Sequence, residues 1–541
     1  MGTSFQGGRL VAQAIAAEGV DAIFTLSGGH VMPIYEGCRV EGIRVFDVRH
    51  EQSAAHAAEA YGRVRRSAGV AVVTAGPGVT GTVTAVANAY AAQVPLIVIG
   101  GARPLVQADK GALQEFDQLS LMKPITKWAA ICAYSSRLPE YVAMAFRHAL
   151  APPRGPVYLE LPMDVLFEDA IPDAPPASAR NSALPGADPA AIDSAARLMR
   201  GATRPVIVAG QGIWWDDAAA ALDELATRLQ APVFLNGSGR GSLPHSHPLL
   251  YQHARGKALA AADVVLVVGA ALDFRLRYGE FGDGKLIHAH GDVSELGRNR
   301  VPEVALTGDT RLVLQALAAQ LEQVESRQEW LAFVRGAEEN WWESHEAERT
   351  SEAAPLHHYR FAAELDRALP DDAVVIGDGG DIVAAVSRVL RVRRPGHWLD
   401  PGPFGCLGVG PGYALGVAAA GFGGPRVVVM GDGAFGLNGF DVDSLVRHDL
   451  PAVFVIGNDG AWGEIRVPQV GIYGPEGEVA TRLASNRYDL FTAVVGGHGE
   501  HVEHPAELAP ALERAFAAGV PAIVNVMLDP DGMAGHAYRG L

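Results

Sequence analysis

The chain contains little cysteine and no long uninterrupted apolar segment. Its 541 residues include only Cys38, Cys132 and Cys406, which are too scattered for a zinc site and too few for a disulfide framework. No run approaches the roughly 18 apolar residues of a membrane helix, and Met1–Leu10 lacks the pattern of an export signal. We therefore expect a soluble, cytoplasmic protein with no membrane partner.

Positive charge is also scarce. The chain has 44 Lys and Arg against 61 Asp and Glu, a formal net charge of −17. A nucleic-acid surface needs clustered Lys and Arg, so we expect no nucleic-acid partner and only small, locally held phosphate groups. Hydrophobic residues make up 49% of the chain, enough for several domains of about 100–200 residues each.

Short apolar strands alternate with Ala-rich helical stretches in three blocks. The predicted fold class is α/β, with three doubly wound parallel-sheet domains. Their predicted bounds are residues 1–170, residues 190–330 and residues 359–541, the last including a C-terminal tail. Pro172–Pro189 is a predicted connector, and the Trp- and Glu-rich residues 335–358 are predicted to form a helix and linker on the outside.

Two Gly/Asp clusters follow apolar strands in the third block. Gly431–Gly433 follows the predicted strand Val427–Met430, and Gly457–Gly460 follows the predicted strand Val453–Ile456. An Asp between glycines places a carboxylate where the bare backbone can approach phosphate oxygens, and Mg²⁺ prefers such oxygen ligands. One helix and one return strand separate the clusters, so both loops are expected at the same sheet edge. Taken singly, each cluster also suits an ordinary turn.

Two Gly-x-Gly-x-x-Gly matches, Gly76–Gly81 and Gly431–Gly436, resemble half of a dinucleotide-binding fingerprint. The next strand after Gly81 ends in Gly100-Gly101, where a ribose-binding carboxylate would be required. NAD binding is therefore not expected there. The two Gly-rich turns instead indicate two related sheets that each end at a ligand crevice.

Together, the Gly/Asp clusters resemble the cofactor motif of thiamine diphosphate enzymes, which opens with Gly-Asp-Gly and closes with paired asparagines. This resemblance extends over nearly the whole chain. It implies thiamine diphosphate and Mg²⁺ as cofactors, with Asp432, Asp459 and the backbone carbonyl of Ala461 as metal ligands. Asp459 replaces the usual metal-ligating asparagine. It keeps an oxygen donor but adds a negative charge, so we expect Mg²⁺ to bind with altered affinity.

The run Arg49-His50-Glu51 leads from a predicted strand into an Ala-rich helix. In the family this run matches the glutamate that hydrogen-bonds the aminopyrimidine ring, and burial against the ring should raise the pKa of Glu51. Considered alone, Glu51 equally suits a helix start. Because Glu51 and the clusters lie in different blocks, and the family combines blocks from two subunits, we expect a homodimer at minimum and more specifically a homotetramer.

Further cofactor contacts follow from the resemblance. Leu407, in the glycine-rich Gly402–Gly408, matches the apolar wedge beneath the cofactor, although by itself it also suits a core position. Asp378–Asp381 would lie near the diphosphate or form an ordinary turn. The full set of implied cofactor contacts is Glu51, Gly76, Asn88, Asp378, Gly379, Gly405, Leu407, Gly431, Asp432, Gly433, Asp459, Trp462 and Gly463.

Besides Glu51, three residues are candidates for substrate chemistry. His30 resembles the histidine of benzaldehyde lyase that handles the substrate hydroxyl. Gln114 resembles a glutamine of that enzyme, of acetolactate synthases and of 2-hydroxyacyl-CoA lyases, and Gln114–Phe116 matches the Gln-Glu-Phe run of the last group. Glu464 stands where related lyases have an uncharged residue, and it either faces the reactive carbon or is a solvated surface group.

The resemblance favours a thiamine diphosphate-dependent carbon-carbon lyase that cleaves 2-hydroxyacyl-CoA to formyl-CoA and an aldehyde or ketone. Its expected partner is thus a small-molecule substrate, an acyl-CoA. A benzaldehyde-lyase-like acyloin lyase or carboligase is the main alternative, and an acetolactate-synthase-like enzyme ranks lower. The presence of Glu51 together with the Gly/Asp clusters argues against a catalytically silent protein on this fold.

Two regions of the sequence have more than one interpretation. Gly210–Gly212 with Arg275 or Arg277 would hold a flavin, an ADP or no ligand in the central block. The tail Gly532–Leu541 carries His, Tyr and Arg. It is interpreted either as a frayed terminus or as a lid over a large anionic substrate.

Overall fold

The computed structural model describes residues 3–178, 185–322, 324 and 327–533. It contains three parallel sheets, one for each predicted block, and the predicted fold class is confirmed.

The first domain is built on a six-stranded parallel sheet of order β3-β2-β4-β5-β7-β6, with β1 and β8 as a short antiparallel pair. Strands β4 and β5 are buried along their whole length, as expected for a parallel sheet covered by helices on both faces. The strands are β1 Phe5–Gln6, β2 Ala22–Thr25, β3 Arg44–Asp47, β4 Gly69–Val73, β5 Leu96–Ala102, β6 Trp128–Ile131, β7 Pro156–Pro162 and β8 Asp169–Ala170. The helices are α1 Gly7–Ala17, α2 Met32–Glu41, α3 Glu51–Arg65, α4 Pro77–Thr80, α5 Val83–Ala91, α6 Gln118–Met122, α7 Leu138–Leu150 and α8 Met163–Phe167.

The central domain has a five-stranded parallel sheet of order β10-β9-β11-β12-β13. Its strands are β9 Pro205–Ala209, β10 Val233–Leu235, β11 Val264–Val268, β12 Lys285–His290 and β13 Val304–Thr307. Its helices are α9 Pro189–Gly201, α10 Gly212–Trp215, α11 Ala219–Leu229, α12 Arg255–Ala261 and α13 Thr310–Gln320. Two linker helices follow, α14 Gln328–Ser344 and α15 Glu346–Arg349.

The third domain repeats the first with a six-stranded parallel sheet of order β15-β14-β16-β17-β19-β18. Its strands are β14 Val374–Asp378, β15 Trp398–Leu399, β16 Arg426–Gly431, β17 Val453–Asn458, β18 His498–Val502 and β19 Ala522–Met527. Its helices are α16 His358–Ala368, α17 Asp381–Val389, α18 Gly410–Ala419, α19 Asp432–Asn438, α20 Val442–Arg447, α21 Gly463–Tyr473, α22 Phe491–Val495 and α23 Pro505–Ala517.

Helices α3 and α18 hold the first and third domains together at very short range. A Cβ built on Gly416 of α18 would lie 2.0 Å from the carbonyl oxygen of Ala57 in α3. Only glycine permits this approach of two helix backbones. One hydrophobic core cluster runs through both domains as a result.

Buried polar groups cross the same helix pair. Glu59 accepts a hydrogen bond from Arg63 at 2.5 Å and from the Asn88 amide at 3.3 Å. The Asn88 amide also donates to the Tyr413 hydroxyl of α18 at 3.3 Å. These contacts fix the orientation of α3, whose first residue is Glu51.

None of the helices in the described ranges has the length and apolar character needed to cross a membrane.

Candidate active site

The Gly/Asp clusters of the third domain emerge at one edge of its sheet. Strands β14, β16 and β17 are parallel neighbours, and Asp378 pairs with Met430, which in turn pairs with Ile456. The carboxyl ends of adjacent parallel strands form the usual ligand crevice of such a sheet. The loops that follow the three strands are therefore placed side by side, as the sequence predicts.

Two carboxylates in these loops lack partners for one oxygen each. Asp432 Oδ2 and Asp459 Oδ2 are buried with no hydrogen-bond donor, while Asp459 Oδ1 accepts from the Ala461 N–H at 3.1 Å. Burial raises the pKa of Asp432 to about 6. Burial, followed by the charges of Asp381 and Asp432, raises the pKa of Asp459 to about 8. Unpartnered carboxylate oxygens in this setting fit a hard divalent cation such as Mg²⁺.

Glycines allow the loops to close around these carboxylates. A Cβ on Gly433 would lie 2.5 Å from the Trp462 ring, so this contact joins the two clusters. A Cβ on Gly463 would lie 2.1 Å from Asp381 Oδ2 and 2.5 Å from Asp459 Oδ2. A side chain at Gly463 would occupy the space in which the two carboxylate oxygens converge, and one at Gly433 would collide with the Trp462 ring. Gly431, which directly precedes Asp432, caps α19 in an extended conformation.

Asp378 shapes the loop that carries Leu407. Its two oxygens accept hydrogen bonds from the backbone N–H groups of Gly408 at 2.9 Å and Gly410 at 2.7 Å, and burial raises its pKa to about 6. Leu407 is half-buried and packs on the core shared by the first and third domains.

Two glycines beside these residues have left-handed backbone conformations that disfavour other residues. Gly379 follows Asp378 with φ +141°, and Gly405 precedes the Leu407 segment with φ +67°.

Glu464 lies in the first turn of α21, with its carboxylate against the start of α17. A Cβ on Gly380 would meet Glu464 Oε2 at 1.9 Å. Burial and the charge of Asp381 raise the pKa of Glu464. Glu464 is thus a half-buried member of the same acidic group as Asp381, Asp432 and Asp459.

In the first domain, His30 and Gln114 are joined through a third side chain, Thr74. His30 Nδ1 lies 3.1 Å from Thr74 Oγ1, and the Thr74 hydroxyl donates to Gln114 Oε1 at 3.3 Å. Burial lowers the pKa of His30, although a hydrogen bond to the backbone of Leu113 opposes this shift. Thr74 is a functional candidate that the motifs did not indicate, although it directly follows β4 and lies two residues before Gly76 of the Gly-rich turn.

Glu115 holds the loop that presents Gln114. Its carboxylate accepts from the backbone N–H groups of Asp109 at 2.7 Å and Gly111 at 2.9 Å, and from Arg103 at 2.8 Å. The hydrogen bond from the Asp109 N–H has the largest effect and that from Arg103 the next largest, and together they lower the pKa of Glu115 to about 2. This ionised carboxylate stabilises a loop in which Gln114 has φ +59°.

The other first-domain candidates lie near these residues. A Cβ on Gly81 would meet Glu51 Oε2 at 2.8 Å, and a Cβ on Gly76 would meet Gln114 at 3.0 Å. Asn88 is fully buried and contacts Glu59 and Tyr413 between the domains. The structure therefore places Glu51 and Gln114 against the Gly-rich turn Gly76–Gly81, whereas the Asn88 side chain is directed to the junction of the two domains.

The central domain borders two cavities that include the predicted nucleotide residues. A cavity of about 270 Å³ is lined by Gly210, Gln211 and Arg275 among others. A second cavity of about 890 Å³, which we call the arginine cavity, opens between the central domain, α14 and α17. Its cationic lining residues are Arg240, Arg255, Arg275, Arg277, Arg349, Arg367, Arg388 and Arg391.

The predicted lid falls largely outside the described residues. Met533 is 4% exposed and belongs to the core of the third domain, whereas residues 534–541 are not among the described residues.

Comparisons with known proteins agree with this arrangement. Three family models match: "Thiamine pyrophosphate enzyme, N-terminal TPP binding domain" at residues 5–121, its "central domain" at residues 192–317 and its "C-terminal TPP binding domain" at residues 378–526. A Mycobacterium bovis protein named probable acetolactate synthase is 43% identical over 97% of this chain and 96% of its own length. The 2-hydroxyacyl-CoA lyase 2 of Caenorhabditis elegans is 34% identical over 96% of this chain and 89% of its own length. The human 2-hydroxyacyl-CoA lyase 2 is 33% identical over 96% of this chain and 90% of its own length.

The matched domains and the two sheet edges lead to the same conclusion: the chain belongs to the thiamine pyrophosphate enzyme family.

Proposed function

We propose that this thiamine diphosphate-dependent enzyme is a Mg²⁺-requiring carbon-carbon lyase that cleaves 2-hydroxyacyl-CoA to formyl-CoA and an aldehyde or ketone. The observation that supports this most directly is His30, a buried imidazole whose pKa is lowered and which is linked through Thr74 to Gln114. The relatives named 2-hydroxyacyl-CoA lyase 2 support the same activity.

Asp432, Asp459 and the Ala461 carbonyl would hold the Mg²⁺, as their unpartnered carboxylate oxygens suggest. Thiamine diphosphate, when bound, would supply a carbon nucleophile and a positively charged thiazolium ring that takes up the electron pair of the bond being broken. Leu407 would support the cofactor from below, and the glycines Gly431, Gly433 and Gly463 would let the backbone approach its diphosphate.

His30 separates the lyase from a decarboxylase on chemical grounds. Breaking the C1–C2 bond beside a 2-hydroxyl group requires an acceptor for the hydroxyl proton, whereas loss of CO₂ from a 2-oxo acid requires none. Because burial lowers its pKa, His30 is neutral near pH 7 and can accept that proton. Gln114 Oε1 is occupied by Thr74, so its amide N–H groups remain to donate to the substrate oxygen.

Glu464 would act after the carbon-carbon bond has been cleaved. Burial and Asp381 raise its pKa, which keeps the carboxyl group protonated to higher pH than an ordinary glutamate. A protonated carboxyl group beside the reacting carbon would return a proton to give formyl-CoA.

We also propose that the chain forms at least a homodimer, and that two such dimers associate into a homotetramer. Glu51 lies against Gly81 of its own domain, and in the proposed dimer a second chain would bring its Gly/Asp clusters to the Glu51 edge. Large apolar side chains next to those clusters support this: Leu437 is 55% exposed, Ile465 is 55% exposed and Leu490 is 58% exposed. Apolar surface of this kind is typical of an interface.

The arginine cavity would take the nucleotide part of CoA or a separate ADP or flavin. Its volume of about 890 Å³ suits a nucleotide. Guanidinium groups suit the phosphates.

Acetolactate synthase is the second candidate, because the relatives at 43% identity carry that name. The deciding experiment supplies the purified enzyme, thiamine diphosphate and Mg²⁺ with 2-hydroxyacyl-CoA, pyruvate or benzoin, and follows products by mass spectrometry. Formyl-CoA formation supports the lyase. Acetolactate as the main product would overturn it in favour of the synthase, and benzoin cleavage without any CoA activity would favour a benzaldehyde-lyase-like enzyme.

The variant His30→Gln sharpens this test. We expect it to lose formyl-CoA formation by about 10²–10⁴-fold while pyruvate decarboxylation, which needs no hydroxyl base, changes little. Thr74→Val is the comparison variant: it keeps the imidazole but removes the hydroxyl that bonds both His30 Nδ1 and Gln114 Oε1, so its loss of formyl-CoA formation should be smaller than that of His30→Gln. Equal losses of both reactions in His30→Gln would contradict the proposed base.

A further inference from the structure

A cluster of metal-ligating groups lies beside the proposed Mg²⁺ ligands and is not explained by them. One ligand atom each from His358, Asp381 and Asp459 lies within 4.8 Å of the other two. Among the described residues, this is the one such group of His, Cys, Asp and Glu side chains. Three separate elements contribute to it: the first residue of α16, the first residue of α17 and the end of β17.

His358 points into this cluster without a hydrogen-bond partner there. The residue is 1% exposed, and its Nε2 lies 3.8 Å from Asp381 Oδ2, beyond hydrogen-bond distance. Its Nδ1 is buried without a partner as well. An imidazole nitrogen is a common ligand of divalent metal ions.

The two carboxylates also turn unused oxygens toward the cluster. Asp381 Oδ1 accepts from the Ile382 N–H at 2.8 Å, which leaves Oδ2 for the cluster. Asp459 Oδ1 accepts from Ala461, and its Oδ2 is buried and unpartnered. Both Oδ2 atoms converge over the Cα of Gly463, where a Cβ would meet them at 2.1 Å and 2.5 Å.

The position of these two carboxylates gives a further reason for a cation. Asp381 Oδ2 and Asp459 Oδ2 approach the same point beside Gly463, and two carboxylates this close repel each other unless a cation or a proton lies between them. The usual asparagine at position 459 would carry no charge, so this repulsion arises from the aspartate of this chain.

We propose that His358, Asp381 and Asp459 form a second divalent-cation site, adjacent to the cofactor's Mg²⁺ and bridged to it by the Asp459 carboxylate. This proposal rests on the proposed function, because Asp459 is also a proposed ligand of the cofactor's Mg²⁺. With metal-ligand distances of about 2.0–2.2 Å, adjacent ligands of an octahedral cation are about 3 Å apart and opposite ligands about 4.2 Å apart, so the three side chains would move inward to complete the site. An imidazole nitrogen with two carboxylate oxygens suits Mn²⁺ or Zn²⁺ better than Mg²⁺. Bridged pairs of this kind are a known way to bind two divalent ions.

The test counts Mn²⁺ ions on the full-length protein. Metal is removed with EDTA, the protein is dialysed against thiamine diphosphate and rising Mn²⁺, and bound metal is measured by inductively coupled plasma mass spectrometry. We expect about two Mn²⁺ per chain in the wild type and about one in His358→Gln and Asp381→Asn. Electron paramagnetic resonance should show a spin-coupled Mn²⁺ pair in the wild type and an isolated ion in both variants.

His288→Gln is the matched control, because His288 is also fully buried with an unpartnered Nδ1 but does not belong to the cluster. It should keep about two ions. A single Mn²⁺ in the wild type, or two ions in both cluster variants, would overturn the proposal. So would simultaneous loss of both ions and of thiamine diphosphate, measured as thiochrome fluorescence, since that would indicate one site. Metal counts do not depend on the substrate, so failure of the proposed lyase activity is distinguished from failure of this site.

Discussion

The Glu464 carboxylate lies directly over the backbone of Gly380. A Cβ on Gly380 would come within 1.9 Å of Glu464 Oε2 and 2.8 Å of its Cβ. The start of α17 and the first turn of α21 are therefore in contact through a glycine and a carboxylate. The position of Glu464 over the cofactor loops depends on the absence of a side chain at residue 380.

This contact predicts the effect of Gly380→Ala. The added methyl group would displace Glu464, and we expect turnover to fall by about tenfold or more with a much smaller change in melting temperature. Gly471→Ala is the control, because nothing lies within 4 Å of that position in α21, and alanine there should stabilise by about 0.4–1 kcal/mol. A normal rate in Gly380→Ala would show that Glu464 has no role in turnover.

Glu51→Gln and Glu51→Ala test the activation of the cofactor. The carboxyl group would activate thiamine diphosphate, whereas the loops of the third domain would retain it. We therefore expect turnover to fall by about 10²–10⁴-fold while cofactor content stays near that of the wild type. Rate and thiochrome fluorescence should be measured on the same samples. Near wild-type turnover in Glu51→Ala would contradict the assigned role.

Asp459→Asn and Asp459→Ala separate the oxygen donor from the charge. Asparagine keeps one oxygen and is the usual family residue, so Asp459→Asn should retain cofactor and most activity. Alanine removes the ligand, and Mg²⁺ affinity should fall by at least about 10–100-fold, the loss typical of outer-shell changes. Isothermal titration with Mg²⁺ and thiamine diphosphate provides the comparison. Equal affinities in the wild type and Asp459→Ala would show that residue 459 is not a ligand.

Glu59→Gln should destabilise the junction of the first and third domains. Burial alone would raise the pKa of Glu59, but Arg63 and His56 outweigh it and hold the pKa below the usual value. Glu59→Gln leaves Arg63 without its buried carboxylate, and this should lower the free energy of unfolding by about 3–5 kcal/mol. Denaturant unfolding measures the change. Glu36→Gln breaks the exposed pair with Arg39 and should lower the free energy of unfolding far less, because water screens an exposed ion pair.

The same carboxylate gives a pH dependence. The pKa of Glu59 is lower in the folded protein than in the unfolded chain. Its contribution to the free energy of unfolding is therefore fully present above the unfolded pKa of about 4.3. That contribution is lost as the pH falls through the folded-state pKa. The wild type should therefore lose more stability on acidification than Glu59→Gln. Parallel acid unfolding curves for the two proteins would contradict this.

Local patterns were enough to predict the strands and the Gly-rich turns. The predicted strands Val427–Met430 and Val453–Ile456 lie within β16 and β17, since a short buried apolar run is a local property of the sequence. The placement of Asp432 and Asp459 at one edge followed from the parallel topology. His358 was not predicted, because it lies 101 positions before Asp459 (459 − 358) and the two meet only through the packing of α16. Thr74 was missed for a related reason, since its partners His30 and Gln114 are 44 and 40 positions away.

The close packing of α3 on α18 has a consequence for the proposed dimer. Helix α3 begins at Glu51, and α18 begins directly after the Leu407 segment. In such a dimer, Glu51 of one chain would serve one active centre while Leu407 of the same chain would serve the other. Because the two helices touch backbone to backbone at Gly416 and Ala57, a shift at one centre would be transmitted mechanically to its twin, and the two centres would not turn over independently.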